Sequence, residues 1–306
     1  MKENWIEEIR CNLCGGSNSE VLERCIFNRG SEIYPINMVR CLNCGLIYLN
    51  PRLNEMGLKE FYERYFQNQI DFVGNIEQIN SSPYLMNTFL KKIEAKSYKG
   101  NLLDVGCGRG RFLWEARKRG WNVFGVEFSE SAAQDARGLG LNVHTRDLLH
   151  AGFTSSYFDV VTMFNVIEHM RDPLSNAKEA HRILKENGLL VVRAPNIDWL
   201  DFRLVRILRN LKRIIKKFDK KYYFSRTGIL NMFMIQHLFY FSRRTLRMLL
   251  EKAGFEIEEV STRSLWYFQA AFKKFNLLQS VYFLYMGALS LIDQGSIMTI
   301  YARKPK

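Results

Sequence analysis

A glycine-rich turn constrains the fold of this chain more than any other feature of its sequence. An apolar run that includes Asp104 leads directly into three alternating glycines, Gly106, Gly108 and Gly110, and a helical pattern begins at Arg111. Glycine lets a backbone approach a ligand closely, and the free N–H groups of a helix N-terminus face the same place. A strand, a glycine turn and a helix in this order predict a nucleotide-binding corner of an α/β fold.

The spacing of the glycines narrows the choice of ligand. A dinucleotide-binding turn would have its third glycine at Arg111, so a pyrophosphate ligand is disfavoured. The turn instead resembles motif I of class I methyltransferases, which bind S-adenosylmethionine. The resemblance implies that the cofactor lies against Asp104, Gly106, Cys107, Gly108 and Gly110. Cys107 is interpreted as a small loop residue rather than as a nucleophile.

Two acidic residues follow at the ends of the next two predicted strands. Glu127 ends the second strand, about twenty residues past the glycines, where an acid binds ribose hydroxyls in related nucleotide-binding folds. The resemblance implies this role for Glu127, and we place Phe128 beside the cofactor as well. Asp147 follows a third strand at residues 142–144. The resemblance puts Asp147 near the adenine amine and Leu148 against the adenine ring.

Residues 158–169 resemble motif IV of the same family, a buried strand that ends facing the substrate and the methyl donor. Asn165 is assigned to the cofactor site and Glu168 to the catalytic site. The resemblance runs from about Asn101 to Asn196, and further strands are predicted at residues 188–192, 255–261 and 297–302. The expected fold is α/β, with a Rossmann-like seven-stranded sheet whose last strand is antiparallel.

Four cysteines form a repeated C-x-x-C-G pattern: Cys11, Cys14, Cys41 and Cys44. Two such turns supply the four thiolates of a tetrahedral structural zinc site. Two disulfides or a catalytic thiol pair are the alternatives, and a reducing cytoplasm disfavours the first. A hairpin with strands at residues 21–26 and 36–40 is expected between the pairs. Residues 39–52 resemble the N-terminal zinc-binding module of methyltransferases from bacterial sugar and polysaccharide gene clusters.

Two histidines are candidates for the base that removes a proton from the acceptor. His169 follows Glu168 at the end of the motif IV region, and His237 precedes a helix capped by Ser242. Sugar C-methyltransferases carry E-H-x-x-Y-F-S here, but this chain has Gln236 in place of the glutamate. We therefore expect direct methyl transfer to oxygen rather than to carbon, with His237 or His169 as base. The alternative is that either histidine simply fills a loop.

The positive charge of the chain is concentrated in one segment. Of the net charge of +13, residues 200–221 supply nine Lys or Arg against two Asp, and their apolar residues fall on the opposite helical face. A helix of this kind can lie on an anionic membrane surface or form a lid whose basic face is solvated. It can also bind the phosphates of RNA or of a nucleotide-linked or lipid-linked sugar. Residues 275–292 carry no charge, but their position between two strands of one sheet argues against a membrane crossing.

The expected organisation is a zinc-binding module (1–52), a helical linker (53–98), a cofactor-binding core (99–199), a basic helical insertion (200–240) and a C-terminal part of the core (241–306) with an apolar helical insertion (263–293). No N-terminal signal is visible, so we expect a cytoplasmic enzyme with peripheral contact at the inner membrane face. The expected acceptor is a hydroxyl of a nucleotide-linked or lipid-linked sugar. The alternatives are RNA, a quinone or lipid hydroxyl, and a non-catalytic zinc-ribbon scaffold.

Overall fold

The computed structural model describes residues 5–29, 32–58, 83–198, 237–262, 284, 287–289 and 291–306. The basic segment at 200–221 lies outside the described residues, as does most of the apolar stretch at 275–292. Within the part of the chain that is described, no helix has the length and apolar character needed to cross a bilayer.

The described part of the chain forms the following elements. The strands are β1 (Ile6–Glu7), β2 (Ser19–Arg29), β3 (Glu32–Cys41), β4 (Ile47–Leu49), β5 (Arg52–Leu53), β6 (Asn101–Val105), β7 (Asn122–Glu127), β8 (Asn142–Thr145), β9 (Phe158–Phe164), β10 (Leu184–Pro195), β11 (Phe239–Tyr240), β12 (Glu256–Ser261) and β13 (Ile297–Arg303). The helices are α1 (Pro83–Glu94), α2 (Arg111–Lys118), α3 (Glu130–Gly138), α4 (Pro173–Ile183) and α5 (Arg243–Lys252).

A seven-stranded sheet forms the centre of the molecule, in the order β12-β13-β10-β9-β6-β7-β8. Strands β10, β9, β6, β7 and β8 are parallel, and β13 pairs antiparallel with both β10 and β12. This arrangement confirms the predicted Rossmann-like sheet with an antiparallel last strand.

Neighbouring residues of the central strands enter hydrophobic clusters on opposite faces of the sheet. Leu103 and Val161 belong to a cluster with α4 and α5, whereas Leu102 and Val160 belong to one with α2 and α3. Alternate side chains of a strand point to opposite faces, so a sheet covered on both sides needs apolar residues at successive positions. This requirement explains why the central strands read as continuous apolar runs.

Polar side chains cap the helices that follow the strands. Ser129 caps α3, Asp172 caps α4, and Ser242 caps α5 in a reciprocal arrangement with Thr245. Each cap satisfies an N–H group that the first turn of a helix leaves without a partner. The cap at Ser242 confirms the helix start predicted there.

A second sheet joins the N-terminal segment to a much later part of the chain. Strands β2 and β3 form the predicted hairpin, β4 pairs with β3, and β11 pairs with β4 at the edge. The sequence analysis does not predict the pairing between β4 and β11, which attaches Phe239 and Tyr240 to the cysteine-bearing segment. One hydrophobic cluster runs without interruption from this sheet into the central one.

Candidate functional site

The glycine turn after β6 is held tightly at both ends and is open in the middle. Gly106, Gly108 and Gly110 have φ angles of 71°, 53° and 77°, in the left-handed region that favours glycine. A Cβ on Gly106 would lie 2.6 Å from Val166 Cγ2, and one on Gly110 would lie 2.4 Å from Leu141 Cδ1. A Cβ on Gly108 would meet no described atom within 4 Å. The middle of the turn is therefore where a ligand can approach the backbone.

Glu127 ties the end of β7 to this open part of the turn. Its carboxylate accepts hydrogen bonds from the backbone N–H of Gly108 at 2.8 Å and of Ser129 at 2.8 Å. The structure thus brings Glu127 next to Gly108, as the ribose-binding interpretation requires. A carboxylate fixed by two N–H donors is well placed to accept further hydrogen bonds from hydroxyl groups.

Asp104 lies beneath the turn and away from solvent. Only 3% of Asp104 is exposed, and the Thr162 hydroxyl donates to its Oδ1 at 2.6 Å. Burial raises the pKa of the Asp104 carboxyl to about 7, although the hydrogen bond from Thr162 opposes the shift. The Asp104 side chain is therefore bound to β9 and is not exposed at the open surface of the turn.

Two further predicted cofactor residues lie near the turn in different environments. The Cys107 side chain is buried and packs towards Gly125, where a Cβ would lie 2.7 Å from its sulfur. Burial raises the pKa of the Cys107 thiol, which suits a packing residue and not a nucleophile. Phe128 is 60% exposed directly after Glu127 and is free to cover a bound ligand.

Asp147 and Leu148, the residues predicted to contact adenine, have other contacts in the structure. Asp147 caps a short 3-10 helix and contacts His150 Nδ1 at 2.6 Å. Leu148 is only 1% exposed and belongs to the hydrophobic core. Its contact with an adenine ring therefore remains a prediction, which would require a shift of the side chain from its packed position.

Glu168, His169 and His237 come together although 68 residues separate the two histidines in sequence. The imidazole rings of His169 and His237 meet edge to face, with centroids 4.7 Å apart. Glu168 Oε1 lies 3.9 Å from His169 Nε2. Glu168 therefore places a carboxyl group beside the histidines. Gln236, which stands where related enzymes have a glutamate, cannot supply one because its side chain is an amide.

The Glu168 carboxyl is deeply buried. It is 2% exposed, and neither of its oxygens accepts a hydrogen bond within the described part of the chain. Burial raises the pKa of Glu168 to about 8, against the attraction of the Arg193 guanidinium. The ligand atoms of Glu168, His169 and His237 lie within 4.8 Å of one another, close enough to act as a proton-accepting cluster or to hold a divalent ion.

The cluster and the glycine turn share one edge of the sheet. Val166 packs against Gly106, and Glu168 follows it by two residues. Asn165, with a φ of 52°, turns the chain away from β9 and donates its N–H to the Arg193 carbonyl at 2.7 Å. In open α/β sheets ligands bind at the carboxyl ends of the parallel strands, which is where both groups lie.

The four predicted metal-binding cysteines form a second cluster. Cys11 Sγ lies 3.5 Å from Cys44 Sγ, and Cys14 Sγ lies 3.4 Å from Cys41 Sγ. These separations exceed a disulfide bond and approach the ~3.8 Å between thiolates bound to one zinc ion. The four sulfurs, all within 4.8 Å of one another, fit a tetrahedral ion.

The two cysteine turns have the same backbone geometry. Gly15 donates to the Cys11 carbonyl at 2.7 Å, and Gly45 donates to the Cys41 carbonyl at 2.9 Å. Burial opposes ionisation of Cys41, but the N–H groups of Cys44 and Asn43 outweigh it and lower the pKa of the thiol to about 7. Burial raises the pKa of the Cys11 and Cys44 thiols, so a bound cation would have to favour their ionised form.

Comparisons with known proteins identify the family of this chain. Residues 78–260 match a family described as a methyltransferase domain. The ubiquinone biosynthesis O-methyltransferase of Haemophilus ducreyi is 31% identical over 135 residues, which span 39% of this chain and 57% of that protein. The enzyme of the same name from Coxiella burnetii is 33% identical over 118 residues, or 36% of this chain and 50% of that protein. This chain thus spans about half the length of the curated relatives it matches.

A solved structure supports the same fold. The crystal structure of an S-adenosylmethionine-dependent methyltransferase from Archaeoglobus fulgidus superposes with a TM-score of 0.52 at 20% identity. The superposition covers 76% of this chain and 100% of the Archaeoglobus fulgidus chain. At this identity the likeness concerns the fold alone.

Proposed function

We propose that this chain, which belongs to the methyltransferase domain family and is a class I S-adenosylmethionine-dependent methyltransferase, methylates a hydroxyl oxygen of a small or lipid-linked acceptor. The observation that carries the proposal is the position of the Glu168–His169–His237 cluster beside the glycine turn. One group can hold the methyl donor and the other can take the acceptor proton, both at one edge of the sheet.

The residues present fit the cofactor. Gly108 leaves space where an added Cβ would stand, and the Glu127 carboxylate lies beside it to accept hydrogen bonds from ribose hydroxyls. When bound, S-adenosylmethionine supplies a methyl group on a positively charged sulfur. The turn and the Glu127 carboxylate would hold it, and the exposed Phe128 would lie beside it.

The histidine cluster supplies the general base for the acceptor hydroxyl. His169 or His237 accepts the proton of the acceptor hydroxyl as its oxygen forms a bond to the methyl carbon. The bound cofactor would supply the methyl group, and its sulfur would keep the electron pair of the broken carbon–sulfur bond, so that S-adenosylhomocysteine would be the second product. In its ionised form the buried Glu168 carboxylate, 3.9 Å from His169 Nε2, favours the positive imidazolium that results. Because the pKa of Glu168 is about 8, this support increases as the pH rises through that value.

Two acceptor classes compete. Relatives named ubiquinone biosynthesis O-methyltransferases favour a quinol or other phenolic hydroxyl. The expected sugar hydroxyl has the weaker support, because it rests on the resemblance of residues 39–52 to a module found in sugar gene clusters. We therefore place the phenolic hydroxyl first and keep the sugar as the second candidate.

The cysteine cluster would hold a structural zinc ion through Cys11, Cys14, Cys41 and Cys44. Four thiolates fill the coordination sphere of such an ion, so the ion would stabilise the local fold and would not bind a reacting atom.

Calorimetric titration with S-adenosylhomocysteine tests the cofactor site. We expect micromolar binding by the wild type, loss of binding in Glu127→Ala, and wild-type binding in Glu130→Ala. Glu130 is the matched control because it is an exposed carboxylate on α3 that pairs with Arg137. Absence of binding by folded, zinc-loaded wild type would overturn the enzymatic proposal.

Methyl transfer from labelled S-adenosylmethionine to phenolic, quinol and sugar acceptors tests the chemistry. We expect His237→Ala or His169→Ala to lower turnover by about a hundredfold or more, the usual effect of removing a general base. His181→Gln is the control, because His181 packs on Phe255. Wild-type turnover in both alanine variants would exclude a histidine base. Turnover that requires added Mn²⁺ would instead assign the cluster to a metal ion.

A further inference from the structure

We infer that the segment bearing the four cysteines positions the catalytic cluster, so that the metal state of this segment controls methyl transfer. Residues 11–49 are called the cysteine module below. The inference rests on the proposed function of Glu168, His169 and His237. It adds that β4 and Arg52, which touch no reacting atom, hold this cluster in register.

The first connection is a short run of backbone hydrogen bonds. Leu49, the last residue of β4, donates its N–H to the Leu238 carbonyl at 3.0 Å. Leu238 in turn donates its own N–H to the Glu168 carbonyl at 2.8 Å. Leu238 therefore bridges the cysteine module and Glu168, and it is the residue next to His237.

Pairing of β11 with β4 fixes the chain on the other side of this bridge. Phe239 lies opposite Tyr48 and Tyr240 opposite Ile47, in antiparallel register. The Tyr48 and Phe239 rings stack with centroids 6.4 Å apart, and both side chains are almost fully buried. A one-residue slip would move every side chain of this pair to the opposite face, so the register of β4 sets the direction of the chain at His237.

Arg52 forms a second connection, through side chains. It is 4% exposed, and its Nε donates to Glu7 at 2.9 Å. One of its terminal nitrogens donates to the Arg171 carbonyl at 3.0 Å, two residues beyond His169. The guanidinium also lies 5.8 Å from the centre of the Phe239 ring. Arg52 thus contacts the segments that follow both histidines.

The second cysteine turn sets the position of β4. Cys41 ends β3, and its N–H donates to the Leu46 carbonyl at 2.9 Å, one residue before β4 begins. Cys44 lies within this turn. An ion bound between the cysteines would fix the turn, because the four sulfur atoms, which lie within 4.8 Å of one another, would then share one ligand.

The first cysteine turn is attached directly to the catalytic domain. Asn12 donates to Asp172 Oδ1 at 2.8 Å, and its own oxygen accepts from the Leu174 N–H at 3.1 Å. Lys252 donates to the Leu13 carbonyl at 2.7 Å. An ion joining the two turns would therefore link these attachments to β4 and, through Leu238, to the cluster.

Kinetics of Arg52→Gln test the side-chain connection, with Arg24→Gln as the matched control. Arg24 is an exposed arginine on β2 of the same module. We expect kcat of Arg52→Gln to fall about tenfold while the Kd for S-adenosylhomocysteine stays within twofold, since small misplacement of reacting groups lowers rate more than cofactor binding. Arg24→Gln should match the wild type. Wild-type kcat in folded Arg52→Gln would overturn the role of Arg52.

Histidine resonances of ¹⁵N-labelled protein test the connection without using activity. Removal of zinc by a chelator should shift the imidazole signals of His169 and His237, leave that of His150 unchanged, and be reversed by added zinc. Unchanged His169 and His237 signals in metal-free, folded protein would overturn the inference. The proposed function fails in a different way, because zinc-loaded wild type would then bind no S-adenosylhomocysteine.

Discussion

Asp104 is a residue whose ionisation opposes folding. Its pKa is raised from 3.8 to about 7 by burial, so the unfolded chain releases this proton at a lower pH than the folded chain does. Between these pH values the unfolded chain binds fewer protons, and the free energy of unfolding therefore falls as the pH rises. The loss is complete above the folded pKa and is on the order of 4 kcal/mol.

Asp104→Asn should remove this dependence, because an amide does not titrate and its oxygen can still accept the Thr162 hydroxyl. We expect the variant to gain stability relative to the wild type between pH 5 and pH 8, as measured by urea unfolding at both values. The comparison uses the change in the free energy of unfolding between the two pH values in each protein, so any effect of the substitution that does not depend on pH cancels. Parallel pH profiles for the two proteins would contradict a raised pKa at this site.

Two glycines of the turn have different surroundings: Gly108 borders the space for a ligand, and Gly110 packs against neighbouring side chains. Alanine at Gly108 or Gly110 would cost about 1 kcal/mol in the left-handed region. The added Cβ at Gly110 would also lie within 2.9 Å of Ala136 and closer still to Leu141, whereas at Gly108 it would project into open space. We therefore expect Gly110→Ala to be the less stable protein in urea unfolding.

Gly108→Ala should instead stay folded and bind S-adenosylhomocysteine at least about tenfold more weakly, because its methyl group occupies the ligand side of the turn. Calorimetry on both variants gives the comparison. Unchanged affinity in Gly108→Ala would mean that the cofactor does not lie against this residue.

At the scale of elements, α4 depends on a cap that also connects two parts of the chain. The Asp172 carboxylate accepts the Ser175 N–H at 2.9 Å and binds the Asn12 amide at 2.8 Å. Together with the Ser175 hydroxyl, these contacts outweigh the effect of burial and lower the pKa of Asp172. The ionised form is therefore favoured in the folded protein, and its contribution is lost as the pH falls through the folded pKa.

Asp172→Ala should cost more stability than Ser129→Ala, which removes a simple cap from α3. Loss of a cap costs about 1 kcal/mol, and Asp172→Ala also leaves Asn12 without its carboxylate partner. The measurement is the urea midpoint of each variant at pH 7. Equal losses would show that the contact with Asn12 adds nothing to stability.

The elements differ in how far the sequence predicts them. Strands β6, β9 and β10 follow from apolar runs, α2 follows from the helical pattern that begins at Arg111, and α5 follows from the cap at Ser242. Strand β11 has only two residues, too few for any periodic signal, and its partner β4 lies about 190 positions earlier. The pairing arises from tertiary packing of Tyr48 and Phe239, which residue types do not reveal.

The residues of the candidate site also differ in how far the sequence predicts them. The sequence predicts the glycine turn, Glu127 and the cysteine turns, because their chemistry requires fixed local spacing. It identifies Glu168, His169 and His237 as catalytic candidates, but it does not predict that the two histidine rings meet, since that contact depends on how the segment at residue 237 returns to the end of β9. Leu148 illustrates the converse, because its position in sequence gives no measure of its burial in the core.

At the scale of the whole molecule, charge is distributed unevenly. The chain carries +13, and residues 200–221 supply +7 through nine basic and two acidic residues. A lipid-linked acceptor would be reached at a membrane surface. Each Lys or Arg near an anionic surface contributes about 1 kcal/mol of attraction, which salt screens within a Debye length of about 8 Å at physiological ionic strength.

We expect the protein to sediment with vesicles containing anionic lipid at low salt, to be released as salt rises, and not to bind neutral vesicles. The double variant K216E/K217E should weaken sedimentation markedly, because it reverses two charges of the basic segment. The control K91E/K178E makes the same change in net charge at exposed positions of α1 and α4 and should sediment like the wild type. Equal weakening in both variants would show that net charge alone drives binding, and absence of wild-type sedimentation would remove the membrane from the proposed setting of the reaction. Sedimentation that persists in K216E/K217E but not at high salt would place the contact on another basic surface of the chain.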